Sequence, residues 1–344
     1  MTRCLFRALA FNLDFCKRSN IWRDANGNGS QNSGELETFG VKESPDGCFF
    51  YPDSTGGIWK TNGNGTSATG VSKLRYFPVQ GLDANGNPQY SYATSENYTL
   101  PELYEFKRVE YDAPNDVMYA AGSSASGALG GDWGVAGNKL VRYNNFRNNS
   151  TRTVAWSIAL PFSDVQPAQH LNVKAIAEAG DYLFLAAYRE GRIYVHKKSD
   201  GSKVGEILPT ALTGNTSGWS DIVGAIRATK RSNGEYLIFA EENGFGKVNM
   251  YRWNSAPSNL RTTVASRTQI NLDWTENSSN ESGFAVERSA NGTSWSQIAT
   301  VATDAVSYVN TGLKGNTLYF YRVRALNSGD NSPYSNTASV KTLK

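Results

Sequence analysis

The stretch Leu318-Tyr319-Phe320-Tyr321-Arg322-Val323-Arg324-Ala325 decides how the last quarter of this 344-residue chain folds. Every second residue from Tyr319 onward is apolar or aromatic, and this period of two predicts a β-strand with one buried face. The upstream stretch Gln269-Ile270-Asn271-Leu272-Asp273-Trp274 has the same period. A third strand is predicted at 283–288, followed by the turn-forming pair Asn291-Gly292, whose residues tolerate positive φ. Together these segments predict an antiparallel β-domain.

These segments, in this order, resemble a complete fibronectin type III domain that extends from Ser258 to Thr342. Trp274 stands where strand B of such sandwiches ends on a buried tryptophan, and Tyr319 stands at the tyrosine-corner position of strand F. The resemblance implies an immunoglobulin-like β-sandwich over residues 258–344 and an extracellular protein, but it identifies no ligand. We expect residues 254–257 to be a short polar linker with little freedom.

Bulk properties exclude two classes of function. The net charge is +3, and basic residues cluster no further than pairs such as Lys197-Lys198, so we expect no nucleic-acid partner. No apolar run approaches the roughly 20 residues of a membrane span. The first 18 residues resemble a signal peptide only superficially, because Arg7 interrupts their apolar stretch. We expect an irregular, truncated N-terminus, with the export signal upstream.

Residues 19–253 predict repeated β-meanders. The clearest unit has strands at 182–188, 192–196 and 203–207, joined by tight turns that contain glycine. Similar units are predicted within 46–60, 115–143 and 233–253. Four such units resemble a β-propeller of the sugar-lactonase, NHL or quinoprotein-like kind, and the alternatives are a large β-sandwich or a solenoid. The predicted fold class is therefore all-β, with a propeller-like domain followed by the sandwich.

The segment Asp24-Ala25-Asn26-Gly27-Asn28-Gly29-Ser30-Gln31-Asn32-Ser33-Gly34-Glu35 resembles the calcium loop of EF-hand and dockerin proteins. A hard cation needs six to eight converging oxygens, and this spacing supplies them from one tight loop. By that resemblance, Asp24, Asn26 and Asn28 ligate through side chains, Ser30 through its carbonyl, Asn32 through a water and Glu35 in bidentate fashion. The alternative is an Asn/Gly-rich turn without a metal.

Two features set this loop apart from a calcium sensor. Only Asp24 and Glu35 are charged, which predicts weak binding with a Kd on the order of 10⁻⁴–10⁻³ M. The preceding segment 20–23 predicts a strand rather than a helix, so we expect a calcium-stapled β-loop. A second segment, 83–88, starts alike, but Pro88 stands where the calcium loop needs its flexible glycine. We expect that segment to be a plain turn.

Candidates for catalysis are few. The two histidines, His170 and His196, cannot build a three-histidine metal site, and His196 is expected to be half-buried or on the surface. The remaining candidates are carboxylates that stand near glycine or tryptophan or pair with each other: Asp132, Asp221, Glu241 and Glu242. Paired carboxylates can hydrolyse glycosides, but Gly-Asp and Trp-Ser-Asp segments are also ordinary turn and packing elements of β-proteins.

Three functions are consistent with these observations. The leading hypothesis is a secreted or cell-surface bacterial protein whose propeller-like domain binds an extracellular glycan or protein, with the sandwich as a spacer. The second is an extracellular polysaccharide hydrolase, lyase or lactonase that uses the carboxylates above. The third is a structural scaffold. Convergence of Asp132, Asp221 and Glu241 or Glu242 on one pocket would favour the enzyme.

Overall fold

The structure is a computed structural model. It describes residues 20–22, 26, 28, 30, 32–38, 49–61, 74–84, 86–103, 105–123, 138–161, 173–187, 192–207, 226–242, 247–277, 281–327 and 331–344. Within these ranges the regular elements are β-strands, apart from one 3-10 turn at Ala113–Asn115. This confirms the prediction of an all-β protein. No helix in the described ranges is long and apolar enough to cross a membrane.

The strands before the C-terminal sandwich are short and antiparallel. In chain order they are β1 (Asn20–Trp22), β2 (Leu36–Thr38), β3 (Phe49–Pro52), β4 (Ile58–Thr61), β5 (Leu74–Phe77), β6 (Gly81–Leu82), β7 (Pro88–Gln89), β8 (Glu96–Tyr98), β9 (Glu105–Asp112), β10 (Val117–Ser123), β11 (Lys139–Asn144), β12 (Thr153–Ala159), β13 (Val173–Ala179), β14 (Tyr182–Ala187), β15 (Arg192–Lys197), β16 (Lys203–Ile207), β17 (Ile226–Lys230), β18 (Tyr236–Glu242) and β19 (Lys247–Trp253).

Most of these strands form four consecutive sheets, here called the first to fourth meander sheets. The first contains β3, β4, β5 and β8, the second β9 to β12, the third β13 to β16, and the fourth β17 to β19. Each predicted meander unit falls on one of these sheets. The pairs β1–β2 and β6–β7 form separate two-stranded hairpins.

The meander sheets pack face to face, and the second and third bury both of their faces. On β10, Met118 and Ala120 pack toward the first sheet, whereas Val117, Tyr119 and Ala121 pack toward the third. The same division holds on β14, whose residues alternate between the core shared with the second sheet and the core shared with the fourth. A side-chain period of two therefore supplies two different cores.

The first strands of successive sheets lie side by side, with β9 next to β13 and β13 next to β17, and β3 and β4 contact β9. No closed propeller or barrel is seen among the described residues. The described residues form a stack of antiparallel meander sheets in which the first strand of each sheet contacts the first strand of the next.

The C-terminal strands are β20 (Ser258–Val264), β21 (Ile270–Thr275), β22 (Gly283–Ser289), β23 (Ser296–Val301), β24 (Ser307–Asn310), β25 (Leu318–Leu326) and β26 (Ala338–Lys341). They form a two-sheet sandwich, with one sheet of β20, β21 and β24 and another of β23, β22, β25 and β26. Trp274 is buried in the shared core as predicted. The Tyr319 hydroxyl accepts a hydrogen bond from the Lys314 backbone N–H at 3.1 Å, which is the bond of a tyrosine corner.

The connection between the meander sheets and the sandwich is buried. Asn254, Ser255 and Pro257 lie in the interior. The Ser255 side chain forms a hydrogen bond with the Tyr182 hydroxyl of β14. On the other side, the Asn277 side-chain amide donates to the Ala256 carbonyl oxygen at 2.7 Å. Residues 254–257 are therefore held by both of their neighbours.

Candidate functional site

Most of the predicted catalytic carboxylates lie outside the described residues. Asp132, Asp221 and the side chain of Glu242 lie outside the described residues, as does His170. Glu241 is described: it lies half-buried on β18, opposite Val248 of β19. A catalytic role for these carboxylates stays a hypothesis.

The expectation for His196 was wrong. Its imidazole is buried in the third meander sheet, and its Nδ1 lies 2.8 Å from the Gly201 carbonyl oxygen. Burial lowers the pKa of the imidazole, because the charged form is poorly solvated there. The turn after β15 folds back over the histidine, which the strand pattern alone does not reveal.

The candidate calcium loop closes the hairpin between β1 and β2, where Trp22 pairs with Leu36. A strand therefore precedes the loop, as predicted. Two asparagine side chains of the loop accept hydrogen bonds from its backbone. The Asn28 N–H donates to Asn26 Oδ1 at 3.0 Å, and the Ser30 N–H donates to Asn28 Oδ1 at 2.8 Å. Each of these two side-chain oxygens therefore accepts a hydrogen bond from the backbone N–H two residues further along the loop.

The far end of the loop is anchored by Glu35, which is buried with 7% of its surface exposed. Its Oε2 accepts from the Asn32 backbone N–H at 2.9 Å and from the Asn32 side-chain amide at 3.2 Å. The same amide nitrogen lies 2.8 Å from the Ser30 carbonyl oxygen and 3.2 Å from Asn28 Oδ1. Oxygens from three of the predicted ligands therefore surround one nitrogen atom.

This donor set fits a calcium ion. Carboxylate, amide and backbone carbonyl oxygens are the ligands that calcium takes. The sequence pattern predicted Asn28, Ser30 and Glu35 as three of those ligands, and their oxygens converge. Asp24, the other charged residue of the predicted set, lies outside the described residues.

The look-alike segment 83–88 is a closed turn, as predicted. The Asp83 carboxylate accepts from the Asn87 backbone N–H at 2.8 Å and from the Asn87 side-chain amide at 3.0 Å. The Asp83 backbone N–H in turn donates to the Asn87 carbonyl oxygen at 2.9 Å. The Asp83 carboxylate accepts hydrogen bonds within its own turn, and the segment begins with the same residue types as the candidate calcium loop. It is therefore a matched control for that loop.

A second polar site, which the sequence analysis did not find, lies where the inner strands meet. We call it the inner-strand cluster, and it consists of Tyr51 on β3, Glu110 and Asp112 on β9, Glu178 on β13, Lys198 after β15 and Arg227 on β17. Glu110 pairs across the strands with Tyr119, which packs toward the third sheet, so the Glu110 side chain faces that sheet too.

Ion pairs tie this cluster together. The Lys198 ammonium lies 2.5 Å from Glu178 Oε2 and 3.6 Å from Asp112 Oδ2. The Arg227 guanidinium lies 4.0 Å from Glu110 Oε1, and its carbon is 5.3 Å from the centre of the Tyr51 ring. Burial raises the pKa of the Glu110 carboxyl to about 8, against the opposing charge of Arg227. Burial also raises the pKa of Glu178, against the opposing effect of Lys198.

The cluster was missed for a physical reason. On β9 the charged residues Arg108, Glu110 and Asp112 alternate with Val109 and Tyr111, a pattern typical of a strand with one solvent-exposed face. The structure instead stacks the third meander sheet on that face, and all three charged residues are buried. No feature of this segment by itself distinguishes the two outcomes.

A third group of carboxylates lies in the loops of the sandwich. Oxygens of Glu276, Glu281 and Asp304 all lie within 4.8 Å of one another. The Asp304 backbone N–H donates to Glu281 Oε1 at 3.3 Å. Burial and the neighbouring Glu281 carboxylate raise the pKa of Glu276 to about 7. The group therefore concentrates negative charge at one end of the sandwich.

Comparison with known proteins identifies the sandwich. Residues 255–341 match the family model of the fibronectin type III domain. A fibronectin type III-like protein from Clostridium thermocellum is 28% identical, covering 26% of this chain and 94% of its own, with a TM-score of 0.24. A structure of titin kinase and its flanking domains is 26% identical over 26% of this chain and 17% of its own, with a TM-score of 0.24.

The domain of human contactin 1 is 22% identical over 26% of this chain and 79% of its own, with a TM-score of 0.25. No curated protein sequence matches the chain. The tyrosine corner, the buried Trp274 and the family match agree with one another. Residues 255–341 form a fibronectin type III domain.

Proposed function

We propose that this chain is a secreted or cell-surface binding protein. Residues 19–253 form a propeller-like region that recognises an extracellular glycan or protein, and the fibronectin type III domain acts as a spacer. The observation that carries the proposal is that domain itself. Such domains are common in extracellular proteins, and this one has a complete core of its own. The buried connection at 254–257 suits a spacer that holds its neighbour in a defined position.

The meander sheets support the propeller-like part of the proposal. Blades of a propeller are antiparallel meanders whose innermost strands surround a common axis. The adjacency of β9, β13 and β17 is of that kind, and charged side chains gather beside those strands in the inner-strand cluster. Polar residues close to such an axis are suited to recognising a polar ligand.

The proposal includes one calcium ion in the loop at 24–35. The convergence of Asn28, Ser30 and Glu35 oxygens supports this part. When bound, the ion would supply a positive charge that cross-links the two ends of the loop. Because few ligands are charged, we expect weak binding, suited to the millimolar calcium of extracellular fluids.

A binding screen tests the main proposal. The full chain is applied to an array of immobilised glycans and extracellular proteins, with calcium and with chelator, and bound glycans are afterwards assayed for product release. Binding without turnover supports a recognition protein. Product release would replace it with the hydrolase, lyase or lactonase hypothesis, and the absence of both would leave a scaffold.

The calcium site has its own test. Millimolar calcium should raise the melting temperature of the full chain, and Glu35→Ala should abolish that rise. Asp83→Ala, in the look-alike turn, is the matched control: it should alter the basal melting temperature at most and keep the calcium-dependent rise. An equal rise in the wild type and in Glu35→Ala would exclude the site.

A further inference from the structure

The side-chain amide of Asn32 occupies the centre of the candidate calcium loop. Its nitrogen lies 2.8 Å from the Ser30 carbonyl oxygen, 3.2 Å from Asn28 Oδ1 and 3.2 Å from Glu35 Oε2. Asn28, Ser30 and Glu35 are three of the ligands that the calcium-loop resemblance assigns to the ion, and Asn32 is assigned too, through a water. One uncharged group of the protein therefore stands where these oxygens converge.

The distances distinguish an amide donor from an ion. Calcium–oxygen distances are about 2.3–2.6 Å, whereas N–H···O bonds span about 2.7–3.2 Å between heavy atoms. The observed spacing is that of hydrogen bonds, so the cage of oxygens is already gathered but is slightly too wide for the ion. A small contraction of the loop would convert one arrangement into the other, provided that the amide moves away.

We propose that Asn32 is a placeholder for calcium: its side-chain amide hydrogen-bonds three oxygens that the ion would use, and it must leave before the ion binds. This inference rests on the calcium site of the proposed function. The placeholder adds a second hydrogen bond to Oε2 of the buried Glu35 carboxylate, beside the one from the Asn32 backbone N–H. It also weakens calcium binding, because the ion has to displace those hydrogen bonds.

Serine at position 32 separates a placeholder from an ordinary ligand. Asn32→Ser keeps an oxygen at that position but removes the amide that reaches the three acceptors. A placeholder predicts tighter binding, with the Kd falling about tenfold, which corresponds to about one net hydrogen bond lost from the calcium-free loop. An ordinary ligand predicts an unchanged or weaker affinity.

The experiment is calcium titration of the full chain by calorimetry, with melting temperatures measured in chelator and in saturating calcium. Asn32→Ser should bind calcium more tightly, melt lower in chelator, and melt like the wild type in saturating calcium. Asn87→Ser removes the corresponding amide from the look-alike turn, so it should leave the calcium affinity unchanged.

The outcomes separate this inference from the calcium site itself. If the wild type binds calcium and Asn32→Ser binds it no more tightly, the site stands and the placeholder is overturned. If neither protein binds calcium, and Asn32→Ser lowers the melting temperature equally with and without calcium, the amide only stabilises the loop and no ion displaces it. That result overturns both the calcium site and the placeholder.

Discussion

The fibronectin type III domain and the meander sheets use the same antiparallel strands but bury them differently. On β21, Ile270, Leu272 and Trp274 are buried, whereas Asp273 and Thr275 between and after them are exposed. On β10, every residue from Val117 to Ser123 is buried. The buried side chains of β21 lie in one core, whereas those of β10, in the middle of a stack, are divided between two.

This difference shows why one region could be identified from its residues and the other could not. A one-sided strand leaves an alternating pattern, which specifies both the strand and the face that it buries. A two-sided strand such as β14 is a continuous apolar run, which predicts a buried strand but not its neighbours. The stacking order of the meander sheets is therefore not encoded in any local pattern.

The largest expected effect comes from the sandwich core. Trp274→Ala should lower the free energy of unfolding of the sandwich by about 3–5 kcal/mol. In hydrogen exchange of the full chain, β21 and β22 should lose protection. Strand β14 should keep its protection, because its side chains lie in cores that are separate from the sandwich core. Trp295→Ala is the matched control, since that ring stacks on Arg322 outside the core and should cost about 0.5–1 kcal/mol. Equal loss in β14 would mean that the two regions unfold together.

Substitution of neighbouring residues tests the two-sided burial directly. On β14, Phe184→Ala and Leu185→Ala should each cost about 2–5 kcal/mol, because the two side chains lie in different cores. On β21, Leu272→Ala should cost a similar amount, but Asp273→Ala should stay within about 0.5 kcal/mol. Denaturant unfolding of each variant measures these differences. If Leu185→Ala lowered the free energy of unfolding by much less than this, packing between the second and third sheets would be contradicted.

The contact between the third and fourth meander sheets can be tested at one glycine. A Cβ atom at Gly205 would lie 2.4 Å from Cη2 of the Trp253 ring. Gly205→Ala should therefore cost about 1–3 kcal/mol through overpacking. Trp253→Phe removes the contacted part of the ring, so the double variant should lose less than the sum of the two single variants. Additive losses would show that the two residues do not touch.

The smallest expected effects are pH-dependent and differ between the regions. The pKa of Glu110 is raised to about 8 and that of Glu276 to about 7, each from a reference value of 4.5. Between the reference and the folded value, the folded state keeps a proton that the unfolded state has released. Stability is therefore full below about pH 4.5 and is lost as pH rises through the folded pKa.

Replacing each carboxyl with a neutral amide should remove its contribution to the change of stability with pH, in one region at a time. Glu110→Gln should flatten the pH dependence of the meander sheets up to about pH 8, and Glu276→Gln that of the sandwich up to about pH 7. Hydrogen exchange measured from pH 5 to 9, corrected for the intrinsic exchange rate, resolves the two regions. An unchanged slope in either variant would show that its carboxyl is not the responsible group.

The candidate calcium loop was found from spacing alone, because its ligands are local in the chain. The inner-strand cluster could not be found in that way, since its members come from five segments that only the stacking brings together. Asn32 is an intermediate case. The pattern assigned it a place in the loop, but only the folded hairpin shows its amide at the point where the oxygens converge.

The sequence by itself determined the fibronectin type III domain, the strands of the meander units and the spacing of the oxygen-bearing residues in the candidate calcium loop. Each of these depends on residues close together in the chain, where side-chain period and turn chemistry act directly. Only the tertiary structure decided that β9 turns its charged face inward, that residues 254–257 are buried, and that four sheets stack through separate cores. Those outcomes depend on contacts between distant segments, whose free energy no local pattern contains.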